Sequence, residues 1–340
     1  MADVFITDIT QTSEIDDSME LVGDNGFKTY SFTAPTLKKY ITKDFVRPNL
    51  LDNWYFIKPV NQRGLSEYTG NAYGIDRWKG LSTVITVTVG NNVAVSTTSA
   101  LKAGYRVWGQ FIENGKALTG RTITLSILVS DCNGSFTISF GSDGTSSNRV
   151  KSTAFSTAGL YSVTGKIDAE ITDFIVFIGK ASEGDTSLKI EAIKLELGDT
   201  QTLAHQDANG NWVLNEIPNY ADQLAKCQRH FVRFANFGSY IRSLGTGLVT
   251  NTAGTNARFS IPIPVPMRTK PSISVSSYSS VYCYRAGTRA SVTELKVIDV
   301  QGDMGNVIVV DATTSGLTAQ EICNLAVASC TIEFSAEITA

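Results

Sequence analysis

The apolar positions of this chain recur mostly at every second residue, in short runs closed by turn residues. Thr83 to Val89 alternates threonine with apolar residues, Arg121 to Val129 does the same, and Ser135 to Phe140 repeats the pattern. A period of two sends alternate side chains to opposite faces, so these runs read as strands with one buried face. Gly90-Asn91-Asn92, Asn114-Gly115 and Asn133-Gly134 separate them. Such residues tolerate the positive φ that tight hairpins require. Tyr105–Ile112, Arg149–Phe155, Tyr161–Ile167, Phe174–Ile178 and Leu188–Leu197 are further runs of this kind. Strands so closely spaced predict a two-sheet β-sandwich, most simply a jelly roll, over residues 47–198.

The pattern changes over residues 199–231. Asp207-Ala208-Asn209-Gly210-Asn211-Trp212 predicts another hairpin inside a linker. Tyr220, Leu224, Cys227 and Phe231 then fall on one helical face. Asn219 is a good N-cap, Asp222 sits in the first turn, and Lys226, Arg229 and His230 sit in the last, where cations suit the helix dipole. The spacing predicts a helix over 219–231. Residues 232–340 return to strands and read as a second, smaller sandwich. The prolines of Arg258–Val265 assign that run to a sheet edge. Thr318 and Glu321 have the spacing of a capping box, in a segment that reads equally as a loop.

Residues 1–46 stand apart. Seven acidic residues precede the first base, Lys28. Thr29–Thr33 reads as a small strand, and Leu37, Tyr40 and Ile41 have one-turn helical spacing. A piece this small buries little core alone, so it is expected to attach to something larger or to associate with copies of itself. The fold class expected is therefore all-β: an N-terminal attachment segment (1–46), a jelly-roll sandwich (47–198), a linker with a short helix (199–231) and a C-terminal β-sandwich (232–340).

Composition excludes several functions. Of 340 residues 42% are hydrophobic and 18% charged, which suits packed domains rather than a disordered chain. With 29 basic against 32 acidic residues and a net charge of −3, no basic domain points to nucleic acid. No apolar run approaches the ~20 residues of a membrane span. The start, MADVFITDITQ, lacks the basic and apolar regions of a secretion signal, so synthesis in a cytoplasm and exit by cell lysis are expected. The five cysteines, Cys132, Cys227, Cys283, Cys323 and Cys330, are odd in number and irregularly spaced, and read as free thiols.

Catalytic signals are missing. Of the two histidines, His230 reads as a cation in the last helical turn and His205 has no Cys or His at ligand spacing, so a zinc site is not expected, and no GxSxG elbow or phosphate-binding glycine loop occurs. Glu191 and Glu196 differ by an odd number, which on a regular strand places them on opposite faces. Asp207, Asn209 and Asn211 fail the calcium-loop pattern, since glycine is fourth rather than sixth. No enzyme and no cofactor are expected, with a structural calcium left open. Two binding surfaces are suggested. Tyr278, Tyr282, Tyr284, Arg285 and Arg289 lie in a serine- and tyrosine-rich stretch like those of antibody loops. An ordinary strand with tyrosines on its wet side explains the same pattern. Trp78 and Trp108 are the candidates for stacking on sugar rings, although tryptophans in strands more often fill cores.

Three stretches together resemble a known family. They are Asn49-Leu50-Leu51-Asp52-Asn53-Trp54-Tyr55-Phe56 with Asn61-Gln62-Arg63-Gly64 and Tyr73-Gly74-Ile75-Asp76-Arg77-Trp78; Ile193-Lys194-Leu195-Glu196-Leu197-Gly198 with Tyr220–Arg229; and Ile263-Pro264-Val265-Pro266-Met267-Arg268 with Phe334-Ser335-Ala336-Glu337-Ile338. Their order resembles fibre and receptor-binding proteins of bacteriophages and prophages, in which a carbohydrate-binding-module-like jelly roll is followed by a short helix and a C-terminal β domain. The resemblance implies a structural subunit of the virion, on tail or head. It implies a homotrimer held to head or tail proteins by its N-terminus, with the C-terminal domain as the tip that adheres to a bacterial surface glycan or other receptor. Two other readings compete: a carbohydrate-binding adhesion protein outside any phage, and a polysaccharide depolymerase.

Overall fold

The computed structural model describes residues 20–24, 29–33, 46–143, 148–168, 171, 173–285, 287–300 and 306–338. They fall in two compact units, Met1–Arg47 and Pro48–Ala340. In the first, Glu20–Asp24 (β1) pairs antiparallel with Thr29–Thr33 (β2). The expected helical turn over Leu37, Tyr40 and Ile41 lies outside the described residues.

The second unit is all-β apart from one short α-helix among the described residues. Its first strands are Glu67–Thr69 (β3), Lys79–Gly80 (β4), Ile85–Val89 (β5), Val93–Thr97 (β6), Arg106–Phe111 (β7), Thr122–Asn133 (β8) and Phe136–Ser142 (β9). Arg149–Lys151 (β10), Gly159–Lys166 (β11), Phe174–Lys180 (β12) and Thr186–Leu197 (β13) follow. They form a five-stranded sheet, β10-β9-β12-β7-β4, and a six-stranded sheet, β11-β8-β13-β6-β5-β3. Strands β7, β8 and β9, and again β11, β12 and β13, alternate between the sheets, which is jelly-roll winding. The period-two alternation explains the core. Phe136, Ile138 and Phe140 of β9 face inward with Ile123, Leu125 and Ile127 of β8. Each such side chain contributes roughly 1.5–3 kcal/mol by leaving water.

Trp78 and Trp108 belong to this core and correct the sugar-stacking expectation. Both are fully buried. Their rings stack at 4.5 Å, and Phe56 lies 5.2 Å from each. No ring face is left for a ligand, because the largest apolar side chains gain most from burial.

The linker lies on the outside of the six-stranded sheet. Lys194 is buried there with its Nζ 2.8 Å from Glu216, and the Glu196 carboxylate accepts from the Thr202 backbone and hydroxyl at 2.6 Å. β13 is bulged around Glu191, so the simple face parity of Glu191 and Glu196 does not carry through. The expected hairpin is present as Ala204–Gln206 (β14) and Trp212–Leu214 (β15), its turn held by the Asp207 carboxylate accepting from the N–H of Asn209 and Asn211. The helix, Tyr220–Gln228 (α1), starts at the Asn219 cap as expected but ends three residues short of the predicted limit. Phe231 begins a strand instead, and the residues α1 buries are Gln223 and Cys227.

The remaining strands are Phe231–Asn236 (β16), Arg242–Val249 (β17), Asn256–Pro262 (β18), Ser272–Val275 (β19), Val281–Arg285 (β20) and Thr288–Ser291 (β21). Glu294–Val300 (β22), Val307–Thr313 (β23), Ile322–Val327 (β24) and Cys330–Ser335 (β25) complete them. A three-stranded sheet, β16-β25-β19, and a seven-stranded sheet, β21-β20-β24-β17-β18-β23-β22, enclose a second core that includes Phe259, Ile261, Val281, Leu325 and Phe334. β18 is interior, not at the expected edge, because its first proline, Pro262, stands only at its last position. Thr318 and Glu321 do bond reciprocally, but around a turn that opens β24 rather than a helix.

The two sandwiches meet at a polar joint built from the motif residues. Arg77 is buried with a left-handed backbone, φ 71°. Non-glycine residues rarely adopt that conformation unless their surroundings hold it. Its guanidinium donates to Asp52 (3.1 Å), Glu337 (3.0 Å) and the Phe111 carbonyl (2.8 Å). Arg63 lies 3.6 Å from Glu337 and 3.9 Å from Asp76. Gln62 bridges Asp76 to the Phe231 carbonyl, and the Tyr73 hydroxyl donates to the Ile338 carbonyl at 2.6 Å. His230 is also buried here, which corrects its reading as a cation at a helix end. Burial, with Arg77, Arg268 and Arg229 nearby, pushes its pKa down to about 2, so the neutral ring makes no ion pair with Glu113 at 3.5 Å. Burial pushes Asp76 the opposite way, up to about 6, against the pull of Arg63.

Candidate functional site

The outer face of the five-stranded sheet is the surface the joint shapes. Its strands present alternately polar and apolar faces, and the register fixes which polar residues become neighbours. Thr137 and Ser139 of β9 pair with Gly179 and Phe177 of β12, and Gly179 pairs with Arg106 of β7. On the other side Ser139 pairs with Lys151 and Gly141 with Arg149 of β10. These residues share the outward face, because the intervening Phe136, Ile138, Phe140 and Ile178 fill the core. At one end the face is apolar and covered: Leu81 and Ile338 pack on Phe111, Ile175 and Phe177. At the other end it opens as a groove of ≈ 180 Å³ between Arg106, Arg149 and Lys151.

The groove carries a surplus of positive charge. Asp143 pairs with Arg106, and its backbone carbonyl also accepts from Arg149. Arg149 donates further to the Ser142 carbonyl at 2.7 Å, with its guanidinium 5.2 Å from the Phe177 ring. Lys180 is buried and consumed by the carbonyls of Thr98 and Gly184. Burial lowers the pKa of both arginines, and the charge of Arg149 lowers that of Arg106 further. Lys151 has no partner among the described residues. A planar, weakly hydrated guanidinium is suited to carboxylates and phosphates, and the hydroxyls of Ser139 and Thr137 add hydrogen-bonding groups to the floor. The groove is smaller than the ~300 Å³ typical of drug-sized pockets, so it suits one sugar ring or one pendant acidic group.

The five tyrosine and arginine residues singled out by the sequence separate into two groups. Tyr282 and Tyr284 lie on the outer face of β20, since the alternate residues Val281 and Cys283 are buried. Arg289 joins them, opposite Tyr284 on β21 and with its guanidinium 5.5 Å from the Tyr282 ring. Tyr278 and Arg285 are tied into the framework instead. The Tyr278 hydroxyl accepts from the Leu295 backbone at 3.2 Å, and Arg285 pairs with Glu321. Sequence reasoning missed Arg106, Arg149 and Lys151. The visible signal was the polar side of the β9 alternation, Thr137, Ser139 and Gly141, but only the register brings basic residues beside it.

No family model and no curated protein matches the sequence. Among solved structures, the chain is similar to the CBM22-1 and GH10 modules of a Clostridium thermocellum endo-1,4-β-D-xylanase solved with xylohexaose, at 13% identity over 47% of this chain and 30% of that one, TM-score 0.25. It is similar to an agarase at 8% identity over 74% of this chain and 48% of that one, TM-score 0.25. A Cucumber Necrosis Virus structure follows at 10% identity, 81% and 95% coverage and TM-score 0.16. This chain spans less than half the length of the first two.

Proposed function

We propose that the chain is a non-catalytic adhesion subunit that holds an acidic sugar of a bacterial surface glycan in the groove of the five-stranded sheet, and that it works as a fibre subunit of a phage particle. The observation that carries the binding reading is the groove itself: Arg106, Arg149 and Lys151 line it over hydroxyls and glycine, and the adjoining Asp143 is paired with Arg106. Glycoside hydrolysis ordinarily needs two carboxylates flanking the bond. Asp143 is already held by Arg106, which favours binding over cleavage. The fibre reading rests on the order of the motifs, which resembles that of phage fibres.

Titration of the full chain with oligogalacturonate and with a neutral oligosaccharide of equal length tests the groove. The acidic oligomer is expected to bind more tightly, to weaken as salt rises, and to lose about tenfold, or ~1.4 kcal/mol, in Lys151→Ala. Equal binding of both sugars, unchanged in that variant, sinks the reading. Loss in Tyr284→Ser with none in Lys151→Ala moves the receptor contact to the C-terminal face. The assembly is tested by sedimentation: a fibre subunit is expected at three times 36.7 kDa, and a monomer at all concentrations would remove the trimer from the proposal.

A further inference from the structure

A second cleft, of ≈ 430 Å³, lies where the first sandwich meets α1. It is independent of the groove and lined by different elements. Tyr55 lines it, fixed by the bridge between its backbone and Ala192 of β13. Tyr220 lines it as well, the first residue of α1, set by the Asn219 cap. Ile57 and Ile217 extend the apolar walls and are 39% and 74% exposed, in a unit that buries most of its isoleucines. Gln223 lies at the floor, 8% exposed. Its Oε1 accepts from the Asn53 backbone at 2.7 Å, whereas its Nε2 has no protein partner among the described residues. That nitrogen is not among the sealed, unpaired polar atoms, so it is a donor open to the cleft. Asn53 does not take it up, since its own side-chain amide already makes three bonds, to Val60 and to the Asp76 carbonyl. Lys58 adds a second donor, its Nζ 5.6 Å from the Tyr220 ring.

This combination defines the ligand's chemistry. Two phenol rings and two isoleucines want a flat apolar face, while the Gln223 amide and the Lys58 ammonium want acceptor oxygens. The volume falls in the range of small-molecule clefts, about 300–1,000 Å³. We propose that the cleft is a second saccharide site, which holds a sugar ring against Tyr55 and Tyr220 and takes a carbonyl substituent of that ring, an acetamido group, on the Gln223 amide. Such a ligand touches both the first sandwich and the helix that leads into the second, so occupancy also braces their junction.

Saturation-transfer NMR on the full chain tests this with methyl N-acetyl-β-glucosaminide, and with methyl β-glucoside as the ring lacking the carbonyl. The acetylated glycoside is expected to receive saturation at its ring and acetyl protons, and the plain glucoside to bind at least tenfold more weakly. Tyr220→Ser, at an exposed position, is expected to abolish the signal. Gln223→Glu keeps the acceptor for Asn53 but removes the donor, and is expected to weaken binding at least tenfold. Should that variant fail to fold, Tyr220→Ser carries the test alone. No saturation of the acetylated glycoside, equal binding of the two glycosides, wild-type binding in Tyr220→Ser, or displacement by oligogalacturonate would each overturn the assignment.

Discussion

Arg77→Met is expected to lower the unfolding free energy by about 3–5 kcal/mol, measured by guanidinium denaturation at pH 7. The size follows from what the variant leaves behind. Arg77 is buried between Asp52 and Glu337 and also donates to the Phe111 carbonyl. Removing it leaves Glu337, itself nearly buried, with only Arg63, at 3.6 Å, among the described residues. A buried charge without its partner costs far more than the intact pair contributes, because desolvation of the remaining ion is no longer offset. Arg77→Met with Glu337→Gln, which removes the stranded charge, is expected to recover much of the loss. A single variant within ~0.5 kcal/mol of wild type would show that the joint carries no structural load.

The second large effect is a pH dependence that the intact protein conceals. Asp76 has its pKa raised from 3.8 to about 6 on folding, so the folded state holds a proton more readily. Its contribution is fully present below pH 3.8 and is lost as the pH rises through about 6. His230 has its pKa lowered from 6.5 to about 2, so the folded state resists a proton that the unfolded state accepts. Its contribution is present above pH 6.5 and is lost as the pH falls. Between pH 6 and 4 each group changes stability by about 1.4 kcal/mol per pH unit, in opposite directions. The wild type is therefore expected to show little dependence from these two groups in that window. Asp76→Asn exposes the histidine and should lose stability steadily as the pH falls from 6 to 4. His230→Gln exposes the aspartate and should gain relative to wild type over the same range. Unfolding free energies of the three proteins at pH 4, 5 and 6 decide it, and parallel lines would show that neither group is perturbed.

The strands were legible because a period of two is a local signal. Phe136 to Phe140 announces its buried face without reference to any other part of the chain. The hairpin turn at Asp207–Asn211 was legible for the same reason, since one carboxylate and one glycine build it locally. The tryptophan reading failed because burial is decided by the whole core, and Trp78 and Trp108 have no local feature that separates stacking on sugar from stacking on each other. The end of the helix was misplaced for a comparable reason. Pairing of Phe231 with Ser335 of β25 claims it for a strand, and His230 is drawn into the joint with it. The groove was invisible because Arg149 and Lys151 meet the β9 polar face only through the register of β10, and Arg106 reaches it across β12. The joint was seen, but only as motifs: Asp52, Gln62, Arg63, Tyr73, Asp76, Arg77, Glu337 and Ile338, all in the stretches that carried the resemblance, hold the two sandwiches together.

The way the joint is closed sets an order on biosynthesis. Arg77 bonds a residue 260 positions later, Tyr73 one 265 positions later, and Gln62 one 169 positions later. Contacts so distant in sequence carry the greatest loop-closure cost and form late. During translation the first sandwich emerges long before residues 333–338 exist, so it must condense with Arg77 uncapped by Glu337 and with Phe111 and Ile175 not yet covered by Ile338. The nascent chain thus passes through an interval in which a finished sandwich displays an apolar edge and unmatched charge, and the arrival of residues 333–338 is what retires that sticky intermediate.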